Sequence, residues 1–234
     1  GENNKSFVEE NCALFRPENS ESKLFGWKKG AYTDAKEDGK GAVELATDGT
    51  LFLDEIGTTE LRVQAMLLKF LDTGEYQRYG ERNVTKKSNA RLILGTNADL
   101  TVEVSEGRFR EDLFERIYIA SFRIPPLRER ADDIPPLVEE FLKKLNEDRD
   151  HIIDIEDSVI EELKKFEWPG NIRQLKAYIE NLYNECLYRK KTRITKGLIK
   201  ENPPRNELYI KSNPLSVLET TFRKLISEWY DSYG

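Results

Sequence analysis

Histidine and cysteine are scarce in this chain, and their scarcity excludes several kinds of site. The sequence holds one histidine, His151, and two cysteines, Cys12 and Cys186. Because His151 lies in a charged connector, neither a histidine-rich metal site nor a Ser-His-Asp triad can be assembled. The cysteines fit no metal or redox spacing, and the helical pattern around Cys186 predicts a buried free thiol in a reducing cytoplasm. Any chemistry must therefore use carboxylates, arginines and a metal ion.

Long apolar runs and a strong charge imbalance are also absent. No stretch approaches the length of a membrane span and no signal peptide is visible, so no membrane partner is expected. A net charge of −6 gives no sign of a general nucleic-acid coat. No glycine-rich phosphate loop of the form G-x-x-x-x-G-K-[ST] is found either. The length of 234 residues suits one large domain or two modest ones.

The clearest functional signal is the stretch ATDGTLFLDEIG, residues 46–57. Its short apolar run predicts a strand buried on both faces of a parallel sheet. Ligands of such sheets bind outside the carboxyl ends of the strands, where Asp54 and Glu55 would point in opposite directions. One carboxylate could hold Mg²⁺ through water, and the other could polarise a water that attacks a phosphate. The alternative is an acidic turn at a strand end, without function.

Alternating strand and helix patterns around this stretch predict a layered α/β domain up to residue 127. The expected strands are residues 6–10, 51–54, 91–96 and 117–124. The expected helices are residues 20–25, 41–47 and 61–72, and a polar hairpin is expected over residues 74–89. We expect the strands at 51–54 and 91–96 to be central. At the end of the latter, Asn97 could touch a phosphate or cap a helix that starts near Asp99.

Residues 26–41 contain four glycines and many charges around the sequence GAYTDA. Such a segment cannot bury itself and should project as a loop. The segment GRFREDLFER, residues 107–116, packs three arginines and three acids together. A salt-bridged helix face would explain that cluster without any further role.

After Arg130 the pattern changes to helices with one apolar face each, which predicts a small helical domain without strands over residues 128–199. Arg173 falls in the first turn of its third helix, where a cation opposes the helix dipole, so an anion should compensate. Residues 200–234 are expected to form a linker and the start of a further helical region. The basic residues between Arg189 and Lys200 could touch DNA or lie on a solvated helix end.

Five ordered motifs between Phe7 and Ile199 resemble the central AAA+ domain of the sigma-54-dependent transcriptional activators. LFGWKKGAYTDA is similar to the family's LFGHEKGAFTGA, and GTLFLDEIG resembles its Walker B motif. GRFREDLFERI followed by PPLRERADDIPPL resembles its arginine-finger region and lid entrance, and WPGNIRQLK its sensor II helix. The resemblance implies an ATPase with a P-loop-type parallel sheet and a helical lid.

The resemblance also implies roles for individual residues. Asp54 would help to hold Mg²⁺, Glu55 would prepare the water, and Asn11 would pair with Glu55 as a switch. The other implied roles are as follows: Thr96 and Asn97 as sensor I, Arg110 and Arg116 as fingers reaching a neighbouring subunit, and Arg173 as a nucleotide contact from the lid. The loop residues that would contact the partner are Gly30, Ala31, Tyr32, Thr33, Asp34 and Ala35.

Three departures from the family's pattern stand out. The Walker A loop should lie upstream of Asn11, so we expect the first strand, its phosphate loop and the following helix to be missing from this chain. Alone, the chain should therefore hydrolyse ATP at little above background. Tyr32 replaces a phenylalanine and Asp34 a glycine. Residues 218–233 resemble the first helix of a DNA-binding domain with nothing following, which indicates a piece of a longer activator that contacts DNA elsewhere.

The function implied is ATP-driven remodelling of a sigma-54 RNA polymerase closed complex by a ring of six or seven subunits. A different AAA+ motor, such as a protein unfoldase, is a rival that the GAYTDA loop argues against. A module that assembles or docks without turnover is the second rival, which the missing phosphate loop favours for this chain alone.

Overall fold

The computed structural model describes residues 6–81, 83–147 and 152–204 of the chain. They form two compact units that divide between Phe122 and Arg123, slightly before the predicted boundary at residue 127. His151 and the helix predicted over residues 218–233 lie outside the described residues. No described helix is long and apolar enough to cross a membrane.

The first unit is built on a parallel sheet. Its strands in chain order are β1 (Phe7–Asn11), β2 (Thr50–Asp54), β3 (Glu75–Tyr76), β4 (Lys86–Lys87) and β5 (Arg91–Leu94). β1, β2 and β5 form the parallel sheet in the order β1-β2-β5, with Leu51 opposite both Val8 and Leu92. β3 and β4 pair antiparallel and form the predicted hairpin. The parallel sheet is confirmed, but only β2 is central, because β5 is an outer strand among the described residues.

The two faces of this sheet differ in burial. Leu51 and Leu53 are completely buried, whereas Phe52 between them is only half-buried. On β5, Ile93 is 38% exposed. The prediction that β2 is buried on both faces is therefore wrong for one of them, since the described helices pack mainly on the Leu51 and Leu53 side.

The residues described in the first unit also form five α-helices: α1 (Ser20–Phe25), α2 (Ala42–Leu45), α3 (Leu61–Thr73), α4 (Leu100–Ser105) and α5 (Glu111–Tyr118). α3 is amphipathic as predicted, and Val63, Leu67 and Phe70 enter the core. It ends at Gly74, which has a positive φ of 68° and donates its N–H to the Phe70 carbonyl. Glycine is favoured there because left-handed backbone costs other residues energy.

The strand predicted over residues 117–124 is not formed. α5 extends through Ile117 to Tyr118, and residues 121–126 belong to no helix or strand. Phe122 is 82% exposed. The apolar pattern is compatible with a strand, but a strand needs a neighbour to bond its backbone, and none of the described strands pairs with this segment.

The described part of the second unit is a lid with four α-helices: α6 (Ile134–Asn146), α7 (Asp157–Leu163), α8 (Asn171–Tyr188) and α9 (Lys196–Glu201). Val138, Leu163 and Ile179 are completely buried in one apolar core. Trp168 is buried there too and donates its indole N–H to the Leu163 carbonyl at 2.8 Å. The helical lid is thus confirmed.

The prediction that the lid contains no strand is wrong. β6 (Asp154–Ile155) pairs in parallel with β7 (Arg193–Ile194), and an ion pair of 2.7 Å joins Arg193 to Asp154. These two-residue strands lie in the connectors that precede α7 and α9. They are too short to leave any periodic pattern in the sequence.

Candidate functional site

The carboxyl ends of the parallel strands bring five of the predicted residues to one edge of the sheet. Asn11 lies opposite Asp54 at the ends of β1 and β2. Glu55 follows β2 directly, and Thr96 and Asn97 follow β5, whose Leu94 lies opposite Leu53. Residues as far apart in the sequence as Asn11 and Asn97 therefore lie at one edge of the sheet.

Asp54 has the chemistry of a magnesium ligand. Its carboxylate is half-buried, and Oδ1 accepts the N–H of Glu55 at 3.0 Å. No group of three or more His, Cys, Asp or Glu residues suited to a metal occurs among the described residues. Mg²⁺ fits such a place, because it keeps several waters and commonly takes only one or two carboxylates from the protein.

Close packing fixes the Asp54 side chain. Gly95 lies beneath it, and a Cβ built on Gly95 would stand 3.0 Å from Asp54 Oδ1. The N–H of Gly95 bonds to the Leu53 carbonyl at 2.8 Å. The hydrogen bonding between the two strands therefore continues to Gly95, and the absence of a side chain at Gly95 leaves room for the Asp54 carboxylate.

Glu55 adopts a left-handed backbone conformation, with φ 55° and ψ 43°. The expected alternation of Asp54 and Glu55 to opposite sides of an extended strand therefore ends at Asp54. A non-glycine residue in this conformation costs about 1–3 kcal/mol and persists only where surrounding bonds hold it. Here the Glu55 carbonyl accepts bonds from the N–H and the hydroxyl of Thr58, the latter at 2.8 Å.

The side chain bonded to Glu55 is Asn97. The Asn97 amide donates to Glu55 Oε1 at 2.9 Å, and its backbone N–H approaches Oε2 at 3.4 Å. Asn11, which was expected to pair with Glu55, instead accepts the N–H of Ala13 at 2.9 Å. Asn11 is occupied because it caps the short 3-10 turn that follows β1.

The same geometry excludes one of the two roles considered for Asn97, the cap of α4. α4 is capped by Asp99, whose Oδ1 accepts the N–H of Thr101 at 3.0 Å. Bonds from Thr101 hold the pKa of Asp99 below its ordinary value. Because Asp99 fulfils the cap, the Asn97 amide is free to bond to Glu55. Its neighbour Thr96 orients the turn by accepting the N–H of Ala98 at 3.1 Å.

Cys12 lies beside this edge but has no reactive character. Burial, together with the nearby charges of Glu10, Asp54 and Glu55, raises the pKa of its thiol to about 12. At neutral pH the thiol is therefore protonated. The prediction of a buried free thiol is confirmed for Cys186, which is completely buried.

Arg110 and Arg116 form ion pairs on the surface of the α/β unit. Arg110 bonds to Asp112 through two nitrogens, at 2.9 and 2.6 Å, and this contact lowers the pKa of Asp112. Arg116 lies 3.0 Å from Asp72, with both side chains about half exposed. Exposed pairs of this kind contribute about 0–1 kcal/mol to stability, so either arginine can leave its partner at a small cost in free energy.

The GAYTDA segment is a folded loop with an exposed tip. Tyr32 is 43% exposed, Thr33 and Asp34 are exposed, and Ala35 is buried. Gly30 supplies a positive φ of 81°, whereas Asp34 does not adopt a left-handed conformation. The loop therefore does not require glycine at the position of Asp34, and the departure from the family's pattern is compatible with its backbone.

A buried ionic network, which was not expected from the sequence, holds the base of this loop. Arg78 is 9% exposed and bonds to both oxygens of Glu44, at 2.9 and 2.8 Å. Asp38 of the loop lies 3.3 Å from Arg78 and 2.6 Å from Lys28. The network joins the loop, α2 and the hairpin that contains β3 and β4.

The network also alters the ionisation of its members. Burial opposes the charge on Glu44, but the bonds from Arg78 and Lys86 outweigh it and lower its pKa. Burial and the Glu44 charge raise the pKa of Tyr76 to about 12. The one sequence signal that could have indicated these contacts is the position of Arg78 between Tyr76 and Tyr79 in the polar segment of residues 74–89.

Arg173 lies in the lid unit. It is the third residue of α8, is exposed, and forms no ion pair with the residues that the structure describes. Asn171, at the start of α8, instead receives the N–H of Leu127 at 2.8 Å. The external anion that its position at the helix N-terminus calls for stays a prediction.

Three of the six basic residues between Arg189 and Lys200 are paired with carboxylates of the lid. Arg189 pairs with Glu185 and Glu201, at 2.6 and 2.5 Å. Lys196 lies 3.8 Å from Glu162. These pairs, together with the formation of α9, favour the interpretation as a solvated helix end over a DNA contact.

Comparison with known proteins identifies relatives over both units. The sigma-54 interaction domain family matches residues 1–123, and the AAA+ ATPase lid domain family matches residues 128–203. The chain is 46% identical to the Nif-specific regulatory protein of Azotobacter vinelandii over 176 residues, which are 75% of this chain and 34% of that protein. It is 41% identical to the regulatory protein LuxO of Vibrio parahaemolyticus over 179 residues, which are 76% of this chain and 39% of that protein.

A solved structure supports the same assignment of the fold. NtrX from Brucella abortus is similar with a TM-score of 0.76 and 30% identity, over 99% of this chain and 52% of that chain. The structure of NtrX in complex with ATP is similar with a TM-score of 0.70 at 30% identity and the same coverage. The predicted α/β AAA+ fold with a helical lid is confirmed. The chain spans well under half the length of both curated relatives.

Proposed function

This chain belongs to the sigma-54 interaction domain family of transcriptional activators, and we propose that the activator that contains it remodels the closed complex of sigma-54 RNA polymerase at the expense of ATP. The observation that carries the proposal is the pairing of two features in one α/β unit. One is the carboxylate edge formed by Asp54 and Glu55, and the other is a folded loop with Tyr32 exposed at its tip. Hydrolysis at the first would move the second.

The protein groups at the sheet edge support nucleotide hydrolysis. Bound Mg²⁺ would supply charge neutralisation on the phosphates of ATP. Asp54 would hold the ion through its waters, and Glu55 would orient a water and accept its proton. The Asn97 amide, 2.9 Å from Glu55 Oε1, fixes the carboxylate until the nucleotide state changes. Thr96 and Asn97 follow an adjacent strand and are placed to respond to a terminal phosphate.

The remaining arginines would complete the site from outside the sheet edge. Arg110 and Arg116 would leave Asp112 and Asp72 and stabilise charge on the transferring phosphoryl group of a neighbouring subunit. Such an action requires a ring, which we propose to contain six or seven copies. Arg173 would contact the nucleotide from the lid, which supplies the anion that its helix position calls for.

The partner contact would be made by residues 30–35. An aromatic ring on a charged, exposed loop is poorly placed to serve the core, but aromatic anchors contribute strongly to interfaces. Sigma-54 within the RNA polymerase holoenzyme is the partner that the family assignment favours. DNA would be bound by a different part of the complete activator, since both arginines of residues 189–200, Arg189 and Arg193, are paired with carboxylates of the lid.

The proposal is tested by Tyr32→Ala in the complete activator. We expect open complexes to be lost while ATP turnover persists, because Tyr32 lies on the loop and the Asp54 and Glu55 carboxylates lie at the strand ends. Tyr32→Phe is the matched control and should retain function if only the ring face is needed. Open-complex formation by Tyr32→Ala at the parent rate would refute the assignment of the loop.

A further inference from the structure

The ring of Tyr32 does not stand alone at the loop tip. Its centroid lies 6.0 Å from that of Trp27, with the two planes tilted by 53°. Distances and angles of this kind are typical of favourable aromatic pairs. Trp27 lies five residues earlier, at the point where the loop leaves the α/β unit, so the contact spans from the base to the tip.

The indole of Trp27 is itself fixed from several sides. Its Nε1–H donates to the Glu37 carbonyl at 3.1 Å. Its flat face lies against Gly39, where a Cβ would come within 2.2 Å of the ring atom Cε2. The backbone of Trp27 also exchanges bonds with Gly39, at 3.0 and 2.9 Å. Only a residue without a side chain at position 39 leaves room for the ring.

The hairpin that contains β3 and β4 supports the same arrangement. The N–H of Lys28 bonds to the Tyr79 carbonyl at 3.0 Å, and that of Tyr79 bonds to the Gly26 carbonyl at 2.8 Å. Gly80 approaches Ala31 so closely that a Cβ on Gly80 would lie 2.6 Å from the Cβ of Ala31. The rigid part of the loop therefore extends to the residue next to Tyr32.

We propose that Trp27 is a positioning residue that holds the Tyr32 ring in the orientation in which the loop meets its partner. The inference rests on the proposed function of the loop. It adds Trp27, which lies outside the GAYTDA segment, to the residues on which binding of the partner depends. A ring fixed before binding loses less conformational freedom on binding, which favours affinity. The aromatic contact should bias the docked orientation by about two- to tenfold.

The position of Tyr32 can be measured without the partner. The rate of chymotrypsin cleavage after Tyr32 is followed by mass spectrometry in the full chain and divided by the rate after Tyr118, which is 62% exposed on a different element. In Trp27→Leu we expect this ratio to rise about two- to tenfold. Trp27→Phe keeps an aromatic ring and should stay near the parent value. An unchanged ratio in Trp27→Leu would overturn the proposal.

A second variant is needed if Trp27→Leu disturbs the fold of the α/β unit. If cleavage after Tyr118 also accelerates in Trp27→Leu, Trp27→His decides, because the motif that the loop resembles carries histidine at this position. Its ratio should lie above that of Trp27→Phe, since the smaller ring covers less of Tyr32. A ratio equal to that of the parent would contradict the positioning role.

The affinity for isolated sigma-54 separates the inference from the function on which it rests. We expect Trp27→Leu to bind sigma-54 about two- to tenfold more weakly, and Trp27→Phe to bind as the parent does. A changed cleavage ratio with unchanged sigma-54 affinity would preserve the positioning of Tyr32 but refute the loop as the sigma-54 contact. An unchanged cleavage ratio with weaker binding would refute the positioning of Tyr32 by Trp27 but would remain consistent with the loop as the sigma-54 contact.

Discussion

Two kinds of arginine–carboxylate pair occur in the α/β unit, and they differ in burial. Arg78 is 9% exposed and bonds to Glu44 and Asp38 beneath the loop. Arg116 is 51% exposed and forms an ion pair with Asp72, which is 50% exposed. The chemistry of the partners is the same, but the surroundings are not.

The difference separates a structural role from one that is open to exchange. A buried arginine that loses its partner leaves an uncompensated charge, which is costly. An exposed arginine can exchange a carboxylate for a phosphate at little cost, because water screens both states. Burial therefore identifies Arg78 as a residue that holds the loop and leaves Arg110 and Arg116 able to act elsewhere.

The largest effect expected from this comparison is that of Arg116→Ala on catalysis. In the complete activator we expect ATP turnover to fall by about 10³- to 10⁵-fold, the range typical of an inserted arginine. The free energy of unfolding should change by no more than about 1 kcal/mol, because the pair with Asp72 is exposed. Steady-state turnover and thermal unfolding measure the two quantities separately.

Arg62→Ala is the matched control for that experiment. Arg62 is 71% exposed and lies 2.8 Å from Glu21, so it is also an exposed arginine with one carboxylate partner. It has no proposed role in catalysis, and its replacement should leave turnover unchanged. A similar fall in both variants would show that loss of surface charge, rather than a finger, explains the result.

A smaller effect, on stability rather than turnover, is expected for Arg78→Ala. The change would remove the Arg78 cation from Glu44 and Asp38 and should destabilise the α/β unit by about 3 kcal/mol. Chemical denaturation of the chain measures this. A loss below about 1 kcal/mol, as for an exposed pair, would break the distinction between buried and exposed arginines.

The smallest effect concerns the pH dependence of the same network. The pKa of Glu44 is lowered in the folded state, so its contribution is present above its ordinary value of 4.5 and is lost as pH falls through the folded value. At pH 7 the free energy of unfolding of the parent should be about 1–2 kcal/mol higher than that of Glu44→Gln. The difference should narrow below the ordinary pKa. If the free energies of unfolding of the two proteins differed by the same amount at every pH, the ionic origin of the contact would be contradicted.

The sheet edge was largely predictable from the sequence. The sequence shows one short apolar run that ends in Asp54 and Glu55 and a second one before Asn97. Because parallel strands have their carboxyl ends at the same edge of a sheet, these two patterns suffice to predict that the residues lie close together. The bond from Asn97 to Glu55 was not predictable, because it depends on the left-handed backbone of Glu55 and on Asp99 taking the cap of α4. A pattern of residue types carries no information on either.

Pairing between distant segments explains the remaining errors. The strand expected over residues 117–124 has a suitable apolar pattern but no bonded neighbour in the described sheet. β6 and β7 form in the lid because two connectors happen to run side by side. The Arg78 network joins residues 34 positions apart, Glu44 and Arg78, whose relation only the fold reveals. In each case the deciding contact is between parts of the chain that have no common periodicity.

The proposal that the exposed arginines serve a neighbouring subunit is tested most directly by mixing two inactive activators. One carries Arg116→Ala and the other Glu55→Gln, and ATP turnover is measured across mixing ratios at constant total protein. A mixed ring contains interfaces in which an intact Arg116 faces an intact Glu55, so we expect activity to recover to a maximum at intermediate ratios. Absence of recovery in rings shown to be mixed would mean that Arg116 acts on its own subunit, and it would contradict the account.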